Sequence, residues 1–166
     1  MPIVKLAYFG TNVLAALSTG GQLKLWDQRQ QQPVIVTDSW IKSPQKLTSL
    51  ASHPAQADIF ATGSKNGSVQ TWDRRNLSGP TSQVGGVHSS AVNDLKYHPT
   101  APEYIVSGGA DGRAARVDLA MQTSVSYDNV FESTLPVNSV DVLPAIDTLV
   151  AGTDSGTLLF RSNLSL

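Results

Sequence analysis

Three side chains in this sequence have the types that nucleophilic catalysis needs. His88 could serve as base, Ser107 as nucleophile and Asp111 as the acid that orients the base. Two other groups suit recognition. Trp26-Asp27-Gln28-Arg29 and Trp72-Asp73-Arg74-Arg75 share the pattern Trp-Asp-x-Arg. Their Arg offers a planar, permanently charged donor fork fitted to hydrogen bonding across an interface. The plainer reading is that Trp-Asp ends a strand with a solvated Arg beside it. Gly108-Gly109-Ala110-Asp111-Gly112 has the glycine content of a phosphate loop. It opens a strand rather than a helix, so it lacks the helix N-terminus that would hold an anion. Lys42 and Lys46, around Pro44, form a basic loop without interleaved aromatics, which gives direct nucleic-acid binding little support. His53 and His98 precede prolines and read as turn residues.

The three His are far apart and form no paired ligand motif, and cysteine is absent. Disulfides, thiolate metal sites and a cysteine nucleophile are therefore excluded, and neither a metal, a cofactor nor a small-molecule substrate is expected. The net charge of −1 steers the chain toward neither nucleic acid nor an anionic membrane. That balance hides an asymmetry: residues 1–80 carry eight Lys/Arg against four Asp/Glu, and residues 81–166 carry four against nine. No apolar run approaches the roughly 20 residues of a membrane span, and MPIVKLAYFG lacks a signal-peptide pattern. The sequons at Asn66, Asn76 and Asn163 are accordingly expected to be unused. Eleven Asp against two Glu, with 13 Gly and 9 Pro, favour turns over helices and point to an all-β chain.

The elements that hold these residues repeat. STGGQLKLWD (18–27), GSKNGSVQTWD (63–73), GGADGRAARVD (108–118) and GTDSGTLLFRS (152–162) align, with turn glycines Gly21, Gly67, Gly112 and Gly156 spaced 46, 45 and 44 apart. Each unit reads as short strands. The first is apolar: Ile3–Tyr8, Leu47–Ser52, Ala91–Tyr97 and Val137–Leu143. In three units a proline closes it, at Pro54, Pro99 and Pro144, since proline cannot donate to a ladder. The second is a compact apolar run at Val13–Leu17, Ile59–Thr62, Tyr104–Ser107 and Thr148–Ala151, a pattern of burial on both faces. A tight turn leads to the third, at Gln22–Asp27, Ser68–Asp73, Arg113–Asp118 and Thr157–Arg161. An outer strand is expected at Pro33–Thr37, Pro80–Val84 and Thr123–Ser126, with none in the last unit. Phe131-Glu132-Ser133-Thr134-Leu135 then falls in the connection from 126 to 136, the longest candidate for an irregular, partner-facing loop; the plainer reading tucks Phe131 inward.

These residues resemble the WD40 repeat family over nearly the whole chain, with the period of about 40–45 residues that such blades show. The resemblance implies an all-β fold of about four propeller blades, 3–38, 47–84, 91–126 and 137–166. It also implies a buried polar network in which a loop His bonds a strand Ser/Thr, which bonds a turn Asp, which bonds the third-strand Trp. The third unit keeps His88, Ser107 and Asp111 but has Val117 for the Trp; the second keeps Thr62 and Trp72 without the His. A structural network, rather than catalysis, then explains His88, Ser107 and Asp111.

Within the family, GQLKLWDQRQQQ, WDRR and VNSVDVLPAIDTLVAGTDSG (137–156) resemble the C-terminal part of a WD-repeat nucleoporin of the Y-shaped nuclear-pore scaffold. That resemblance implies a non-catalytic scaffold in a seven-bladed ring, docked on helical nucleoporins at the nuclear envelope, with a role at kinetochores in mitosis. The doubled Trp-Asp-x-Arg boxes, with Trp26, Asp27, Arg29, Trp72, Asp73 and Arg75 as candidate protein-binding residues, also resemble those of substrate receptors that meet a cullin-RING ligase adaptor. Seven blades need roughly 300 residues. The expectation is therefore part of a longer polypeptide or a short isoform, ahead of a pair of copies closing a ring or a four-bladed propeller.

Overall fold

The structure, a computed structural model, describes residues 2–29, 45–119 and 127–163. The strands that the turn glycines and prolines delimit form in each unit. The first sheet contains β1 (Ile3–Phe9), β2 (Val13–Ser18) and β3 (Leu23–Asp27), and the second β4 (Leu47–Ser52), β5 (Ile59–Ser64), β6 (Val69–Asp73) and β7 (Ser82–Val84). The third contains β8 (Val92–Tyr97), β9 (Tyr104–Gly109), β10 (Arg113–Asp118) and β11 (Tyr127–Glu132). The fourth contains β12 (Val137–Leu143), β13 (Thr148–Thr153) and β14 (Leu158–Ser162), with a single 3-10 turn at Pro144–Ile146 before β13. All four sheets are antiparallel meanders in sequence order.

The outer strands depart from expectation. Pro33–Thr37, Thr123–Ser126 and Lys42 lie outside the described residues. The third sheet takes its outer strand from Tyr127–Glu132, so Phe131 and Glu132 belong to a ladder on β10 rather than to an irregular loop. This strand is exposed at Tyr127, Asp128, Asn129 and Glu132, while the adjacent Val130 and Phe131 pack against the third core, Phe131 thus tucking inward, so no apolar alternation announces it. The backbone ladder holds it, with Arg116 paired to Asp128 at 2.9 Å and Arg113 to Glu132 at 3.2 Å.

Each first strand packs on that of the next sheet: β1 on β4, β4 on β8, and β8 on β12. Three apolar cores result, one at each junction. Phe9, Leu17, Leu23, Leu25, Phe60 and Trp72 fill the first. Ala61, Val69, Leu95, Ile105 and Val117 fill the second, and Val106, Val140, Val142 and Leu149 the third. This stacking explains why β5 and β9 are buried without alternation, since both of their faces meet a neighbouring sheet, whereas β2 and β13, with a neighbour on one side, alternate in burial.

Every first strand also opens with a bulge, at Val4, Thr48, Asn93 and Asn138. The bulged residue reaches the next sheet: Thr48 Oγ1 donates to the Val92 carbonyl at 2.7 Å, and Asn93 Nδ2 to that of Val137 at 3.0 Å. A bulge re-aims one side chain out of the pleat, and here it aims it at the neighbouring blade.

Candidate protein-interaction site

The two Trp-Asp-x-Arg boxes close third strands β3 and β6 and fold alike. In the first, Arg29 binds back on Asp27 through Nε (2.9 Å) and Nη2 (2.6 Å), and its backbone N–H donates to the same carboxylate at 3.0 Å. In the second, Arg75 binds Asp73 through Nε (3.0 Å) and Nη2 (2.6 Å), with its backbone N–H at 2.9 Å. The Arg side-chain hydrogen bonds, then the backbone ones, bring both carboxyls down to about 2. Each Asp is therefore ionised at any physiological pH and keeps its Arg fork planar against the strand end. The boxes end the third strands of neighbouring sheets at equivalent register positions, Asp27 opposite Val13 and Asp73 opposite Ile59, which puts them on the same rim, and the Arg74 charge lowers both carboxyls slightly further. The Arg29 and Arg75 side chains stay largely exposed, with Arg75 also 4.0 Å from Asp58.

The tryptophans of the boxes do not share this rim. Trp72 is fully buried, with Nε1–H donating to Thr62 Oγ1 at 2.8 Å and its ring stacked 6.2 Å from Phe60. Trp26 lies on the outward face of the first sheet. The six box residues thus separate into rim groups, Asp27, Arg29, Asp73 and Arg75, and blade-face groups, Trp26 and Trp72.

His88, Ser107 and Asp111 do come together, in an order that corrects the expected one. The His is central: Nδ1 meets Asp111 Oδ1 at 3.0 Å and Nε2 meets Ser107 Oγ at 2.9 Å. Ser107 does not bridge to the Asp, and in the second sheet Trp72 bonds Thr62 rather than an Asp. An ionised Asp only accepts, so Nδ1 carries the proton and Ser107 donates to Nε2. Burial holds the His88 imidazole below its ordinary range, with the Asp111 charge pulling the other way. Burial alone would raise Asp111, but the backbone N–H groups of Ser89 and Arg113, with His88, bring it below the usual carboxylate range.

The Asp-His-Ser order is that of a hydrolase triad, yet His88 and Ser107 are both buried within the blade, Ser107 completely. A nucleophile needs room for a substrate beside it, and this hydroxyl has none. His88→Ala should strand the Ser107 hydroxyl, at about 1–3 kcal/mol, whereas the Asp111 carboxylate keeps the Ser89 and Arg113 N–H groups. Unfolded His88 takes up its proton at a higher pH than folded His88. Its contribution to stability is thus fully present above about pH 6.5 and is lost as pH falls through the lower folded value. Melting curves across pH 5–8 should show the variant destabilised and its acid-side slope reduced.

The structure also pairs residues that the sequence did not. His98, read as a turn residue before Pro99, bonds Asp147 of the fourth sheet through Nε2 at 2.8 Å. Asp147 sits at φ +45°, a conformation that an Asp tolerates better than most residues. Only the two short turns before β9 and β13 hint at that clasp. Among the described residues no His, Cys, Asp and Glu group could hold a metal ion.

Residues 79–114 match the family model described as WD domain, G-beta repeat. This span runs from the outer strand β7 of one sheet through β8 and β9 of the next. The match makes this span similar to a WD repeat, and the four antiparallel meander sheets are consistent with WD40 propeller blades. Over 149 residues the chain is 26% identical to Nucleoporin Nup43 of Homo sapiens, covering 81% of this chain and 37% of that protein. Nucleoporin Nup43 of Mus musculus is 29% identical over 110 residues, covering 64% of this chain and 28% of that protein. DDB1- and CUL4-associated factor 13 of Xenopus tropicalis is 29% identical over 102 residues, covering 61% of this chain and 22% of that protein. The chain spans about a third of the length of the curated Nup43 relatives it matches.

Proposed function

We propose that this chain is a non-catalytic interaction scaffold of the nuclear pore, a WD-repeat component of its Y-shaped scaffold that docks on helical nucleoporins and serves nucleocytoplasmic transport structurally. The observation that carries this reading is the similarity to Nucleoporin Nup43 across most of the chain, the terminal VNSVDVLPAIDTLVAGTDSG segment being the part of the sequence that goes beyond a general WD pattern. The blades suit the role. The buried polar groups His88, Ser107 and Thr62 are spent inside the fold, and what the blades offer a partner is a rim of loops and fixed Arg side chains, the usual carrier of function on a rigid scaffold. Affinity capture of the tagged protein from nuclear extract should return helical scaffold nucleoporins in fixed ratio to it. Capture without any of them would count against the reading.

A second reading has its own observation: the two boxes fold identically, with exposed Arg29 and Arg75 held by their Asp partners on one rim. Together with the similarity to DDB1- and CUL4-associated factor 13, this supports contact with a cullin-RING ligase adaptor. Replacing Arg29 and Arg75 by Asp should abolish capture of the adaptor while leaving the melting temperature within about 2–4 °C of the parent, since both are surface residues. Unchanged capture would remove this reading and leave the first intact.

A further inference from the structure

The second and third sheets, each packed on a neighbour at both sides, leave a cleft of about 530 Å³ between them. His53, Ile59, Thr71 and Thr81 line it from the second sheet, and Tyr97 and Glu103 from the third. Its volume is that of a small-ligand pocket, about 300–1,000 Å³. It opens on the rim where the second box ends β6, since Asp73 pairs with Ile59.

The repeat shows what one group of this cleft lacks. The residue after each third strand donates its backbone N–H to the carbonyl of the residue before the second strand. Gln28 donates to Asn12 at 2.8 Å, Arg74 to Asp58 at 2.7 Å and Leu119 to Glu103 at 2.7 Å. Asp58 and Glu103 therefore hold equivalent places. The Asp58 carboxylate accepts from Arg74 through Nε at 3.0 Å and Nη2 at 2.5 Å. Leu119 stands where the third sheet would need that Arg, and its side chain has nothing to donate. Glu103 has no ion pair or side-chain hydrogen bond among the described residues.

A second group of the cleft is also unpaired. Tyr97 is only 7% exposed, and its phenol oxygen has no hydrogen-bond partner among the described residues. Its ring lies tilted against that of His53, with centroids 5.0 Å apart. His53 Nδ1 accepts the Ala55 and Gln56 N–H groups at 3.1 and 3.0 Å, and burial holds its imidazole below the ordinary range. The ring is thus neutral and sets no charge against a cation. Thr71 and Thr81 bond each other at 3.0 Å and keep lone pairs to spare.

We propose that this cleft takes an arginine side chain of a protein partner, its guanidinium standing on Glu103 as Arg74 stands on Asp58 and donating to the Tyr97 oxygen. A guanidinium carries five donors in a planar fork, which can serve a carboxylate and a further oxygen together, and it is less strongly hydrated than an ammonium. No Lys or Arg lines the cleft among the described residues, so its one formal charge, that of Glu103, favours a cation. The inference goes beyond both readings of function and depends on neither.

NMR titration of the isotope-labelled whole chain with N-acetyl-arginine amide tests it. Saturable shifts are expected at the amides of Gln56 and Glu103, with a Kd of about 1 mM, as suits a fragment held by a few polar contacts. Glu103→Gln should weaken binding about threefold to fivefold, the effect of one ion pair at an exposed carboxylate. Tyr97→Phe should weaken it about threefold to tenfold, the effect of one hydrogen bond. The same variant should melt no lower than the parent, because the phenol has no partner to lose, and this separates a lost contact from a damaged fold. N-acetyl-citrulline amide, the uncharged isostere, should bind several-fold more weakly. Shifts that never saturate, that lie elsewhere on the chain, or that either variant leaves undiminished would overturn the proposal. So would an equal response to the citrulline amide.

Discussion

Replacing Trp72 by Ala is expected to destabilise the chain by about 3–5 kcal/mol, the cost of emptying a large aromatic site in a packed core. The ring is fully buried between the first two sheets, in a stack that runs from Phe9 through Phe60 to Trp72, with Phe9 and Phe60 5.0 Å apart. Removing it opens the first core and strands the Thr62 hydroxyl at 0% exposure. Against a domain stability of about 5–15 kcal/mol, this removes from about a fifth to all of the margin. Trp72→Phe keeps the ring stack and loses the one hydrogen bond, so it should cost less than half as much. Trp26→Ala, at the same repeat position on the open face, should cost under about 1 kcal/mol in the isolated chain. Urea denaturation of all three variants checks the order; equal losses at Trp26 and Trp72 would contradict the assignment of faces.

Gly67→Ala should be the most damaging change at a turn. Gly67 adopts φ +84°, and a Cβ there would lie 1.9 Å from the His88 carbonyl oxygen, a backbone atom held in turn by the His88 N–H bond to Gly67 O at 3.1 Å. The left-handed strain alone costs about 1–2 kcal/mol; the clash adds to it, because the turn must move away from the start of the next blade. Gly156 isolates the strain. It has φ +73° and no atom within 4 Å of a built Cβ, so Gly156→Ala should cost about 1 kcal/mol. Paired chemical denaturation curves should put the Gly67 loss at more than twice that of Gly156.

Much of the fold was legible because its punctuation is chemical. Glycines at positive φ and prolines that end ladders bracket the inner three strands of every unit, and the second strands show themselves as compact apolar runs, of which β5 and β9 are buried on both faces. The outer strands were poorly legible. β11 is held by backbone pairing, by Val130 and Phe131 against the third core, and by Arg116–Asp128 and Arg113–Glu132 pairs at the surface, and two adjacent apolar residues make no hydrophobic alternation. The candidate site was legible in composition but not in arrangement. His88, Ser107 and Asp111 could be grouped from the repeat, but their order depends on which group lies between the others in space. Trp26 and Trp72 share the Trp-Asp-x-Arg box and its repeat position but have opposite environments. A neighbouring sheet decides that difference, and no local pattern encodes it. The inter-blade bonds of Thr48, Asn93 and His98 join units about one repeat apart, beyond the reach of any short motif.

The proposed role of these blades as a scaffold of the nuclear pore is tested by imaging the tagged full-length protein in interphase cells. A continuous rim at the nuclear envelope, coincident with a pore marker and retained after detergent extraction of soluble protein, is the predicted result. A diffuse or cytoplasmic signal that extraction removes would contradict it.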